Sequence, residues 1–323
     1  MDICVWDKCN NNCLMCSNPD KPWPSFNGRP EQGYDYKTLI KRIERFKAKI
    51  LKSDAIVLTG GEPTLHPRFI DILKFLRQNY PDKEIRILTN GRRFVYPDFA
   101  QEILQTDNLN VAVSLYGPTA AIHDAITQTE KSFEQTLKGL ENLLLYKRDG
   151  QIFEIRTVIS RLSYKHLKEI LELVKIRFGS IDRFVLIFME VEGQADKNLK
   201  RVGVSYSQIK PHLEEIQPLF NNFKEFRLYH FPLCTLGAEF WPYLWRTLPA
   251  KEVAFVARCG QCQYKQYCLG IHKGYLKKIG SKEFKPIQGK FVIQPSNNFY
   301  HPIDKVNSAI KNKSAGSCKQ NKK

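Results

Sequence analysis

No apolar run in this 323-residue chain approaches the roughly 20 residues that span a bilayer, which excludes a helical membrane protein. The opening Met-Asp-Ile-Cys-Val-Trp-Asp carries no basic n-region and no cleavage site, which excludes a secretory signal and predicts a cytoplasmic protein. Cysteine is missing from the 217 residues between Cys16 and Cys234, so most of the nine thiols sit in two dense groups near the ends. In a reducing compartment, thiols grouped this way favour metal over disulfides. Acid is scarce, with 33 Asp and Glu against 50 Lys and Arg and a formal charge of +17. That balance suits an anionic partner: nucleic acid, an acidic peptide or an anionic cofactor. From Lys305 to Lys323 there is no acid at all, and six lysines among Asn, Ser and Gly predict a disordered tail.

What is present suffices for a large core. Hydrophobic residues make up 42% of the chain and aromatic residues 12%, which fits one α/β barrel or a barrel with a small added module. Short apolar runs predict strands at Asp2 to Trp6, Ala55 to Leu58, Glu84 to Thr89, Asn110 to Leu115, Phe153 to Ser160 and Arg183 to Met189. Helical periodicity falls between them. In Tyr36 to Leu51 it is carried by Leu39, Ile40, Ile43, Phe46 and Ile50, and it recurs after Pro67, near Phe99 to Leu104, and over Thr119 to Tyr146, Ser163 to Ile176 and Ser205 to Leu219. Strand–helix alternation implies parallel pairing through right-handed crossovers, in a partial barrel or a doubly wound sheet. Either architecture gathers its active residues at the strand C-terminal ends.

Two motifs fall at such ends. Cys9-Asn10-Asn11-Asn12-Cys13-Leu14-Met15-Cys16 follows the first strand, ahead of a loop rich in breakers at Pro22, Pro24, Gly28 and Pro30. Three thiolates suit a soft metal centre and leave one position open for chemistry; iron–sulfur ligation is the natural use of such a set. Cys4, by contrast, reads as an ordinary strand residue. Gly60-Gly61-Glu62-Pro63 ends the second strand, where the glycines permit close backbone approach and the proline removes a donor.

Together the two motifs resemble the radical S-adenosylmethionine (radical SAM) superfamily, over roughly Asp2 to Leu219. The resemblance implies a partial (β/α)6 TIM-like barrel with a 4Fe–4S cluster on Cys9, Cys13 and Cys16. It implies that S-adenosylmethionine binds the open iron and is reductively cleaved to methionine and a 5′-deoxyadenosyl radical, which takes hydrogen from substrate. It further implies cofactor contacts at Gly60, Gly61, Glu62 and Pro63, at Thr89 and Ser114, at Arg156 as a carboxylate partner, and at Met189 beside the adenine. An electron donor such as flavodoxin or ferredoxin is implied as partner. Met15 departs from the family's usual aromatic before the third cysteine.

The second thiol group is Cys234, Cys259, Cys262 and Cys268. On spacing alone it suits a 4Fe–4S cluster or structural zinc. It resembles the SPASM and Twitch extensions of radical SAM enzymes, with the four-cysteine count closer to a single-cluster, Twitch-like module; this implies a second, auxiliary cluster. The expected division is a core barrel over 1–222, the auxiliary module over 223–290 and a basic, disordered tail over 291–323. Aromatic residues from Phe231 to Trp245, with Tyr264, Tyr267 and Tyr275, are expected to pack that module. His66 and the pair His123-Asp124 are read as caps or satisfied polar contacts rather than catalytic groups. By analogy with SPASM and Twitch relatives, the expected substrate is a peptide, a protein or a small biosynthetic intermediate. RNA or a nucleotide is the alternative that the charge raises, and a non-enzymatic metal module is a second. With no recognition domain ahead of the cysteine loop, leader-peptide recognition within the chain is not expected.

Overall fold

Near-continuous apolar runs in the predicted strands bury on both faces, and the computed structural model, which describes residues 1–18 and 33–308, shows where they go. Eight strands pair in chain order into one sheet: β1 (Asp2–Trp6), β2 (Ala55–Gly60), β3 (Glu84–Thr89), β4 (Leu109–Ser114), β5 (Ile152–Ile159), β6 (Arg183–Phe188), β7 (Phe226–Tyr229) and β8 (Leu244–Trp245). Every pairing is parallel. The order starts at β1 and ends at β8; the result is a partial barrel whose C-terminal strand ends share one rim.

The crossovers are α1 (Tyr36–Arg45), α2 (Lys47–Lys52), α3 (Phe69–Asn79), α4 (Pro97–Ile103), α5 (Ala120–Thr127), α6 (Ser132–Leu145), α7 (Leu167–Arg177), α8 (Gly193–Lys197), α9 (Leu199–Val202) and α10 (Tyr206–Ile216). Each longer helix lays an apolar stripe on the sheet: Ile72, Leu73 and Leu76 in α3, and Ile170, Leu171 and Val174 in α7, are fully buried. Local chemistry fixes their starts. Asp35 accepts from Thr38 N at 3.1 Å ahead of α1, and Ser205 with Gln208 forms a reciprocal capping box ahead of α10. No helix among the described residues is long and apolar enough to cross a membrane.

The C-terminal part differs from the expected division. Strands β7 and β8 lie beyond residue 222 yet complete the main sheet, so the barrel reaches into the span assigned to the small module. The module itself has little regular structure: β9 (Val253–Ala254) pairs with β10 (Ile271–His272), followed by α11 (Lys273–Lys278). Its aromatics merge with the barrel core, since Phe188 of β6 stacks on Tyr206 at 3.7 Å and meets Tyr275 at 5.6 Å. The expectation of disorder from 291 onward fails for the first part of that segment. β11 (Phe291–Asn298) and β12 (His301–Ser308) form an antiparallel hairpin. Ile303 is fully buried and Phe291 packs at 5.1 Å from Trp241, giving this lysine-rich segment an anchor that its composition hides. The rest of the predicted tail, Cys318 included, and the Pro22–Pro30 loop lie outside the described residues.

Candidate active site

The cysteine loop leaves β1 and is fastened first by the glycine turn at the end of β2. Gly61 N donates to Trp6 O at 2.8 Å and Glu62 N to Lys8 O at 2.7 Å. The two backbones run so close that a side chain at either glycine has no room. A Cβ would stand 2.1 Å from Trp6 O at Gly60, which also has φ +138°, and 2.2 Å from Lys8 O at Gly61. The glycine pair is therefore the seat of the thiol loop. Further along, Asn12 N and Leu14 N donate to Thr127 O and Ile126 O at 2.8 and 2.9 Å, and Cys16 O accepts from Gln194 N at 2.8 Å.

Glu62 ties this turn to the end of β3. Its carboxylate is buried, with Oε1 accepting from Thr64 N (3.1 Å), Thr64 Oγ1 (2.6 Å) and Thr89 Oγ1 (2.7 Å), and Oε2 from Asn90 N (2.7 Å). Burial raises its pKa, opposed by these four donors. Thr89 also accepts from Gly91 N at 3.0 Å. Glu62 and Thr89 side chains are thus occupied within the protein, so the backbone of the turn is what remains to meet a ligand. The next residues reach the thiol loop: Asn90 Nδ2 donates to Asn10 Oδ1 at 2.6 Å, and Arg92 Nη1 to Asn11 Oδ1 at 2.7 Å.

Cys9, Cys13 and Cys16 are all partly exposed. Burial pushes the Tyr116 phenol well up, and the charges of Cys13, Cys16 and Cys9 add to that while a Ser114 hydrogen bond opposes it. Asn11 N points at Cys9 Sγ from 3.4 Å and Asn90 Nδ2 from 3.9 Å. Among the described residues, no three His, Cys, Asp or Glu side chains gather tightly enough to hold a single ion. A cubane asks for something looser, one iron per thiolate, with N–H donors aimed at sulfur. The loop fits that demand.

A match to the Radical SAM superfamily family model over residues 3–174 spans this loop, the glycine turn and the first five strands. The chain belongs to the radical SAM superfamily. Members of that superfamily use a 4Fe–4S cluster and S-adenosylmethionine. Among curated radical SAM relatives, the chain is 29% identical over 186 residues to the mycofactocin maturase MftC of Mycobacterium tuberculosis, covering 55% of this chain and 43% of that one. It is 25% identical over 211 residues to the AdoMet-dependent heme synthase of Methanosarcina barkeri, covering 65% and 56%. The chain thus spans about half the length of these relatives or less. In fold it is similar to Streptococcus suis SuiB, in a crystal structure with the precursor peptide SuiA (TM-score 0.55, 14% identity, 70% of this chain and 48% of that one).

The lumen of this radical SAM barrel holds a cavity of about 540 Å³ whose wall includes Met15, Ser17, Arg156, Glu190, Tyr229 and His230. Arg156 is held from behind. Its Nε engages Glu154, which also accepts from Arg183 Nη1 at 2.8 Å. Burial works against the Glu154 carboxylate, but the guanidinium charges of Arg156 and Arg183 hold its pKa down at about 2. Ser114, paired with Arg156 across β4 and β5, hydrogen-bonds Tyr116. Met189 is buried in the core, whereas Met15 lies in the cavity wall. Sequence reasoning missed Arg92, Tyr116, Glu190 and His230. His230 carries a signal only in the backbone, at φ +69°. Its Nδ1 donates to Phe188 O at 3.0 Å and its Nε2 lies 2.9 Å from Thr247 Oγ1, while burial lowers its pKa to about 4.

His66 and Asp124 make satisfied polar contacts, whereas His123 accepts from Tyr116 N at 3.2 Å through Nδ1 and its buried Nε2 has no hydrogen-bond partner among the described residues. His66 Nδ1 accepts from Arg68 N at 2.9 Å and Nε2 donates to Tyr34 O at 2.8 Å. Asp124 accepts from Ser132 Oγ and Phe133 N, both at 2.8 Å, at the start of α6. Cys4 Sγ lies 3.5 Å from Tyr34 OH, away from the thiol set.

In the second group the thiols act on one another through their charges. Burial, then the charges of Cys268, Cys259 and Cys262, push the Cys234 thiol up to about 12. Cys268 is raised by burial and by Cys259 and Cys262. Backbone N–H groups point at the sulfurs, from Lys285 to Cys234 and from Gly270 and Leu233 to Cys268. Four thiols with amide donors suit a cluster as well as the first set does.

Proposed function

We propose that this radical SAM enzyme modifies a peptide. Cys9, Cys13 and Cys16 would hold the 4Fe–4S cluster, and Cys234, Cys259, Cys262 and Cys268 an auxiliary one. The observation that carries the reading is the Cys9–Cys16 loop seated on the Gly60–Gly61 backbone, with N–H donors aimed at Cys9 Sγ. A peptide substrate is supported by the likeness to a maturase and to a fold solved with a precursor peptide.

When bound, cluster and S-adenosylmethionine supply a radical able to take hydrogen from an unactivated carbon. The protein's own residues orient and enclose that chemistry. The turn over Gly60 to Pro63 offers backbone groups to the cofactor's amine, and Glu62 with Thr89 keeps that turn in place. Arg156 presents a fixed guanidinium for a carboxylate, its Nε side already anchored on Glu154. Ser114 holds Tyr116 through a hydrogen bond. Met15 lines the cavity where an adenine partner is needed, with Met189 behind it in the core. A flavodoxin or ferredoxin would deliver the electron.

Anaerobic reconstitution tests this. Two clusters predict about eight irons and eight sulfides per chain. Replacing Cys9, Cys13 and Cys16 together with alanine halves that content and abolishes reductant-dependent 5′-deoxyadenosine. Replacing the C-terminal four halves the iron alone. Formation of 5′-deoxyadenosine by the N-terminal triple variant would overturn the cluster assignment.

A further inference from the structure

A second cavity, about 870 Å³, opens on the C-terminal module and shares Arg246, Thr247 and Tyr300 with the lumen. Its volume and the lumen's both fall in the range of ligand sites. The shared walls set the two cavities side by side, the outer one lined by Cys268 and Leu269. Three large apolar side chains stand exposed along it: Phe255 at 41%, Phe299 at 69% and Tyr300 at 49%. Exposed aromatics grouped in one concave surface mark a binding face rather than chance exposure.

The polar chemistry has one sign. Among the described residues lining the groove, Arg246 and Lys265 are cationic and none is acidic. The other arginines of the lumen wall are matched by carboxylates: Arg86 by Glu84, Arg156 by Glu154, and Arg227 by Glu225. Arg246 instead gives its Nη1 to a carbonyl, Phe299 O at 2.6 Å, and its guanidinium lies 4.7 Å from the Phe299 ring. The Lys265 ammonium lies 5.4 Å from the Phe255 ring. Each wall therefore pairs a cation with an aromatic face. Leu248, Val253 and Leu269 fill the floor between them.

We infer that this groove docks an extended acidic peptide, with carboxylates at Arg246 and Lys265 and apolar side chains on Phe255 and Phe299, and feeds it into the lumen. This deepens the peptide reading given above and rests on it. A nucleic-acid strand fits less well, because a phosphate backbone asks for a continuous cationic track. Here an apolar floor separates two single charges.

Fluorescence polarisation of the reconstituted full chain tests the inference without turnover. The probe is a labelled, end-capped decapeptide of alternating glutamate and leucine with a central phenylalanine. The comparators are its glutamine-for-glutamate counterpart and a labelled oligouridylate. Salt of about 0.15 M keeps the chain's overall positive charge from dominating, since the Debye length is then about 8 Å. The acidic peptide should bind most tightly. Lys265→Gln and Arg246→Gln should each weaken it about threefold and together about tenfold. Phe299→Ala, at an exposed site, should weaken it without moving the melting temperature. Lys175→Gln, exposed on the distant α7, should leave it unchanged. Equal binding of the acidic and glutamine peptides, tighter binding of the oligouridylate, or unaltered binding by the double variant would each overturn the docking proposal. 5′-Deoxyadenosine formation, assayed separately, reports on the radical SAM chemistry; a chain that makes it yet ignores the peptide loses only the groove.

Discussion

Glu62 offers the sharpest test of how the site is held, because replacement by glutamine keeps shape and removes one acceptor. An amide oxygen at the Oε1 position retains Thr64 N and both threonine hydroxyls, which can rotate to suit. The amide NH2 must then occupy the Oε2 position and face Asn90 N, a backbone donor that cannot turn away. A buried donor–donor contact replaces a charge-assisted bond, a loss of about 2 kcal/mol. For a chain of this size that lowers Tm by about 4 °C, read by circular dichroism. The damage should spread along the path described: Asn90 holds Asn10, so the Cys9 thiol of the apo chain should react faster with a disulfide reagent in Glu62→Gln than in wild type. Affinity for S-adenosylmethionine should fall with it. A Tm within about 1 °C of wild type, with unchanged thiol labelling, would refute the view that this carboxylate organises the site.

Gly61→Ala should be more severe, since its Cβ would meet Lys8 O at 2.2 Å with backbone on both sides; loss of iron uptake in reconstitution, with the sheet intact by circular dichroism, is the expected result. Acid should weaken the fold in two stages, followed as Tm against pH. His123 and His230 have folded pKa values of about 4, below the ordinary 6.5, so their neutral forms cost stability as pH falls from 6.5 toward 4. Glu154, folded at about 2 against 4.5, contributes stability that is present above 4.5 and lost toward 2. Glu154→Gln should flatten only the second stage.

The strands that could be read from sequence were those with long apolar runs. β1 to β6 fall within a residue or two of their expected spans at most ends. β7 and β8 escaped because they have four and two residues, and Arg227 interrupts the apolar signal of β7. The hairpin over 291–308 escaped for a different reason: Pro295 sits at a break in register, and only one strand face, through Phe291, Ile293 and Ile303, is covered. At the site, the thiols and the glycines were legible because the chemistry demands those residue types at those places. Glu62 was not legible as a hub, since its partners stand at 64, 89 and 90 and only the folded sheet brings β2 and β3 side by side. Tyr116 looked like any residue following a strand, since its contacts with Ser114 and His123 appear only in the fold.

The fastening of the thiol loop also carries a consequence for how the protein is made. The thiol loop is synthesised ahead of all the residues that hold it in place, Ile126, Thr127, Gln194 and Asn198. At about 5–20 residues per second, roughly 10–40 s pass before those partners have been synthesised. During that interval the three thiols are open to oxidants and to stray metal ions. Cluster insertion is therefore tied to near-complete synthesis of the barrel, and a cell that slows translation lengthens the period in which these cysteines can be lost.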